Sequence, residues 1–131
     1  MKKIEWEESF SVNNEGIDNQ HKKWISIIND LHDNMIKGDI ALSTTLNTMK
    51  SMKDYVKLHF DSEEEYMRKI NYPDIADHIK IHTKFYVLVN QYYNEMVSGK
   101  LVLNGEIMNM LMNWLKEHVL NEDKKYSEFA K

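Results

Sequence analysis

A single proline, Pro73, and four glycines are all that interrupt 131 residues. Between those marks apolar side chains recur every three or four residues, and no stretch alternates with period two, so the spacing predicts helices and no strands. An irregular N-terminal arm, about 1–17, carries Trp6 and Phe10. Helix A is predicted from about Asp18 to Lys37, with Gly38 as its stop and an inner stripe of His21, Trp24, Ile25, Ile28, Leu31 and Met35. Helix B runs from about Ile40 to Ile70, where the Asn71-Tyr72-Pro73 turn forbids continuation. Its stripe is Leu42, Leu46, Met49, Met52, Val56, His59, Phe60, Glu63, Met67 and Ile70. Helix C begins at Asp74, a candidate N-cap, and ends at Ser98-Gly99, burying His78, His82, Phe85, Val89, Tyr92 and Met96. Helix D, about 105–129, follows Asn104 and carries Met108, Leu111, Leu115 and His118.

Two of the three connections between these helices are a few residues long, which makes successive helices antiparallel neighbours. The expected fold is all-α: an up-down-up-down antiparallel four-helix bundle forming one domain over 1–131, large enough for a core without metal or disulfide staples. Its 17 basic and 21 acidic residues are well mixed, and no basic block suggests a nucleic-acid partner. Absence of cysteine excludes disulfides and iron–sulfur clusters. No run approaches the roughly 20 apolar residues of a membrane span. No apolar stretch of signal-peptide length follows Met1-Lys2-Lys3, so a soluble cytoplasmic protein is expected.

The stripes carry an unusual load of histidine. His59 and Glu63 are four apart, as are His78 and His82, so each pair projects from one helix face. His21 and His118 lie on the inner faces of the other two helices. A lone histidine on an apolar face is ordinarily a hydrogen-bonded core residue. Five histidines and a glutamate on four inward stripes would leave unsatisfied polar groups, costing roughly 1–3 kcal/mol each, unless something binds them together. A metal does so, and imidazole with carboxylate suits iron, manganese or zinc. His32 lies about 16 Å along the helix from His21 and has no ligand partner at helical spacing, so it is read as a boundary or surface residue. Asp61, Glu64 and Glu65 are read as solvated acids pointing away from the His59 face.

Zinc-protease chemistry needs a glutamate directly after the first histidine of the helical pair, and here the residue is Ile79. Ferritin-like di-iron oxidases use Glu-x-x-His twice with further glutamates, and the chain contains no Glu-x-x-His. Imidazoles supply less negative charge than carboxylates, so the site leans towards binding oxygen rather than splitting it.

The order His21, His59-x-x-x-Glu63, His78-x-x-x-His82, His118-x-x-x-x-Asp123 resembles the hemerythrin family in its bacterial single-domain form. The resemblance extends to the Trp6 arm, Asp18-Asn19-Gln20-His21, Tyr72-Pro73 and Trp114-Leu115. It implies two iron ions with an oxo or hydroxo bridge and dioxygen as the ligand. His78, His82 and His118 would hold one iron, His21 and His59 the other, and Glu63 and Asp123 would bridge both. One coordination position then stays open for dioxygen, on the iron with two histidines. Trp24, Phe60, Trp114, Leu115 and Val119 would line the oxygen pocket, whereas spacing alone makes them ordinary core. Five residues along an α-helix turn the face by about 140°, so His118 and Asp123 converge only through a π-type turn or a local break.

An oxygen-binding protein is favoured over an enzyme. A di-iron oxidoreductase, such as a peroxidase or nitric-oxide-reducing module, and an iron buffer remain as alternatives. Storage, delivery and sensing of oxygen share the same site. A monomer is expected, with an oxidase or oxygenase as the conceivable recipient of the oxygen.

Overall fold

The computed structural model describes residues 3–38 and 42–131. Helix α1 spans Glu15–Lys37, α2 Leu42–Lys69, α3 Ile75–Val97 and α4 Gly105–Glu117. A π-helical segment, His118–Asp123, follows α4 directly and passes into α5, Lys124–Ala130, so the last three form one continuous helical rod. The fold is all-helical and antiparallel: α1 packs on α2, α2 on α3, and α1 also meets α4. No helix among the described residues is long and apolar enough to cross a membrane.

The ends of the helices have local causes. α1 starts earlier than expected because Asn14, in extended backbone, accepts the Ile17 N–H at 3.1 Å. Asp18, expected near the helix start, instead ties down the arm: its carboxylate accepts from Ser11 Oγ at 2.6 Å and Val12 N at 2.9 Å. Gly38 ends α1 at φ 66°, where a side chain is disfavoured. The expected start of α2 at Ile40 lies outside the described residues. α2 closes with Asn71 at φ 57°, while Tyr72 N bonds Met67 O and Asn71 N bonds Arg68 O. This paired arrangement satisfies the last carbonyls before Pro73. Asp74 stands at the N-cap of α3, but its backbone is not extended (φ −97°, ψ 22°) and its side chain makes no capping bond. Asn104 does cap α4, accepting from Ile107 N at 3.0 Å.

The core divides into two apolar clusters. The larger runs through Trp24, Ile28, Leu31, Met49, Met52, Val56, Phe60, Phe85, Val89, Met108, Leu111 and Leu115. The smaller gathers Val12, Ile17, Met67, Tyr72 and Tyr126. Along each helix the predicted ligand residues fall between the two, so a polar layer crosses the bundle with hydrocarbon on either side. Two expectations change. Leu42 is 56% exposed, because it lies in the first described turn of α2, beyond the buried layer that starts at Thr45 and Met49. His32, expected at the boundary or surface, is buried at 6% exposure, although it stands apart from the other histidines. The arm is pinned by Asn29, which donates to Ile4 O at 2.8 Å and accepts from Ile4 N at 2.9 Å.

Candidate metal centre

Four parts of the chain bring seven side chains into the polar layer: His21 from α1, His59 and Glu63 from α2, His78 and His82 from α3, and His118 and Asp123 from the π segment. None is more than 4% exposed. The pairs four apart converge because α2 and α3 are regular there. His118 and Asp123 converge because the helix widens between them, as their five-residue spacing demands.

The ligand atoms form two groups, each gathered within 4.8 Å: His78, His82, His118, Glu63 and Asp123 in one, His21, His59, Glu63 and Asp123 in the other. The two carboxylates belong to both, and their oxygens divide between the groups. Glu63 Oε1 lies 3.4 Å from His78 Nε2 and 2.9 Å from His82 Nε2, while Oε2 lies 3.5 Å from His21 Nε2 and 3.4 Å from His59 Nε2. Asp123 Oδ1 lies 3.1 Å from both His78 and His118 Nε2, and Oδ2 lies 3.2 Å from His21 Nε2.

These spacings fit metal ions. Neighbouring ligands on an ion held at about 2.1 Å lie roughly 3 Å apart. The Nε2 atoms of His21, His59 and His78, Glu63 Oε1 and both Asp123 oxygens are buried without a hydrogen-bond partner. Two carboxylates stranded so deep would be costly. Cations between the two groups would satisfy all of these atoms at once, and five neutral imidazoles with two carboxylates form a donor set suited to iron.

Electrostatics in the protein alone point the same way. Burial lowers the His21 and His78 imidazoles, but the ionised Asp123 and Glu63 carboxylates beside them outweigh it and push both up to about 9. Burial holds His59 below its usual value. Glu63 and Asp123 stay well below the carboxylate range: burial works against ionisation, but the surrounding imidazoles overcome it. The site is therefore built to keep two carboxylates ionised inside the bundle.

Three contacts lie beyond the seven. Tyr126 Oη donates to Glu63 Oε2 at 2.8 Å. Gln20 Oε1 meets His59 Nδ1 at 2.7 Å, and Glu64 Oε2 meets His82 Nδ1 at 2.9 Å. Glu64 was expected in solvent. The correction arises because α3 packs against that side of α2 and brings His82 to it, a tertiary contact with no mark in local spacing. Tyr126 had a signal, since three residues after Asp123 falls on the same helix face. Asp61 and Glu65 do face outward, beside Lys57 at 2.8 Å and Lys69 at 3.9 Å.

The five predicted pocket residues lie on the larger core's side of the layer. Phe60 stacks on His82 at 3.8 Å, and Trp114 on His118 at 4.4 Å. Trp24 packs 5.8 Å from His59, 5.9 Å from Phe60 and 6.1 Å from Trp114. Leu115 and Val119 are buried in the same cluster, and Trp114 packs against it part-buried.

Comparison with known proteins agrees. A family model described as "Hemerythrin HHE cation binding domain" matches residues 12–130. The chain is 28% identical to a bacteriohemerythrin of Stenotrophomonas maltophilia, over 100% of this chain and 84% of that protein. It is 31% identical to a hemerythrin-like protein of Naegleria gruberi, over 92% of this chain and 88% of that protein. A crystal structure of a hemerythrin carrying a leucine-to-tyrosine substitution superposes with a TM-score of 0.92 at 28% identity, covering 99% of this chain and 98% of that one.

Proposed function

Because the chain belongs to the hemerythrin family, we propose that it binds dioxygen reversibly at a di-iron centre. His78, His82 and His118 would hold one iron and His21 and His59 the other, with Glu63 and Asp123 serving both. The observation that carries this reading is the division of each carboxylate, one oxygen turned to each group of imidazoles. When bound, two irons supply the two electrons that dioxygen takes up on binding and returns on release.

The rest falls to the side chains. Five neutral imidazoles and two carboxylates, Glu63 and Asp123, would give the metals less negative charge than an acid-rich set, which favours binding oxygen over cleaving it. Tyr126 holds Glu63 Oε2 in place. Trp24, Phe60, Leu115, Val119 and Trp114 form the apolar wall of the oxygen pocket and withhold water from any departing anion, whose charge would be expensive there. Storage, delivery and sensing all draw on this one equilibrium.

The test is a gas-exchange cycle. The protein is loaded with ferrous iron under anaerobic conditions, exposed to air, and then stripped of oxygen while its visible spectrum is followed. A band that appears and disappears with oxygen is expected. Irreversible oxidation coupled to turnover of a peroxide or nitric oxide would make it an oxidoreductase instead. Failure to retain two irons would leave an iron-buffering role.

A further inference from the structure

Two of the five imidazoles in the cluster are held from behind, and by groups of different charge. His82 Nδ1 meets the Glu64 carboxylate at 2.9 Å, whereas His59 Nδ1 meets the Gln20 side-chain amide oxygen at 2.7 Å. His21 and His118 have buried Nδ1 atoms without a partner. Either acceptor requires the proton on Nδ1, which leaves Nε2 free as the donor atom directed into the cluster. Both therefore fix the tautomer and the ring plane. They differ in what they do to Nε2. A carboxylate draws the Nδ1 proton towards itself and makes Nε2 a stronger donor to a cation, while a neutral amide does so far less. Glu64 is only 14% exposed in its side chain, so water screens this effect little.

We infer that Glu64 and Gln20 are positioning residues that rank the two metal sites: Glu64 makes the His78–His82–His118 position the tighter one, filled first, and Gln20 leaves the His21–His59 position the weaker one, filled second. This rests on the two-metal reading above. Ordered filling would give the centre a defined one-metal state on the way to the complete pair. The three-to-two split of imidazoles favours the same order, but only the ranking by Glu64 and Gln20 changes when a single charge is exchanged with the ligands left in place.

The experiment titrates metal-free protein with cobalt(II) against a competing chelator. Binding is followed by cobalt absorption and by tryptophan fluorescence, since Trp114 stacks on His118 and Trp24 packs against His59. The parent should bind two ions in two steps. E64Q keeps the size and the Nδ1 acceptor but loses the charge. It should weaken the first step about 10- to 100-fold and leave the second unchanged. Q20E should tighten the second step and leave the first. Thermal melts of the metal-free variants check the fold, and should E64Q not fold, Q20E decides alone. E64Q with both steps unchanged, E64Q weakening both steps equally, or Q20E without effect on the second step would each overturn the ranking. A parent that takes up fewer than two ions would overturn the two-metal reading itself, and the ranking with it.

Discussion

At the scale of single residues, what is legible in a sequence depends on whether a partner sits at helical spacing. His59 and Glu63, or His78 and His82, announce themselves because residues four apart share a face. Glu64 and Gln20 do not, because each reaches an imidazole on another helix, and only packing sets that distance. Tyr126 lies between these cases, in phase with Asp123 but with a target 63 positions away. Its hydroxyl meets an ionised carboxylate inside the protein, and burial together with the charges of Glu63 and Asp123 raises its pKa well above the usual phenol value. It is therefore a neutral donor at every working pH. Removing it in Tyr126→Phe leaves Glu63 Oε2 one partner short. The metal-free protein should lose about 1.5–3 kcal/mol, the range for a hydrogen bond to a charged group, as read by urea unfolding. A stability equal to the parent would show that the bond contributes nothing.

At the scale of elements, helix identity was readable and helix ends were less so. The stripes on α1 to α4 follow from apolar periodicity, but the start of α1 depends on Asn14 and the end of α2 on the left-handed Asn71, which are local backbone choices. The π segment was foreseeable for a different reason. Five residues separate His118 from Asp123, and a regular helix turns the second away from the first by about 140°. This element can be tested by inserting one alanine after Leu120, which is 39% exposed. One residue more than the widened turn accommodates turns everything after it by about 100°, taking Asp123 and Tyr126 away from Glu63. A chain still folded by circular dichroism, but holding fewer than two metal ions and melting lower, is expected. Full metal content in that variant would mean the widened turn does not set how His118 and Asp123 converge.

At the scale of the whole molecule, the polar layer makes stability depend on pH until something binds it. His21 and His78 rise on folding from 6.5 to about 9. A histidine so raised stabilises the fold fully below pH 6.5 and loses that contribution as the pH climbs through 9. His59 is neutral across this window because burial holds it low, and the depressed Glu63 and Asp123 are ionised throughout it. The melting temperature of chelator-treated protein should therefore fall between pH 6.5 and 9. Metal-loaded protein should not show the fall, because a cation takes the place of those protons. A flat profile without metal would argue that the cluster contributes no pH-dependent stability.

Two irons share this site only if Glu63 and Asp123 serve two metal positions at once. The most direct measurement is the iron content of anaerobically loaded, desalted protein, determined for the parent and for Glu63→Ala. Two irons per chain in the parent, and fewer than two in Glu63→Ala with the helical fold retained, is the predicted result. Two irons in both proteins, or a single iron in the parent, would contradict it.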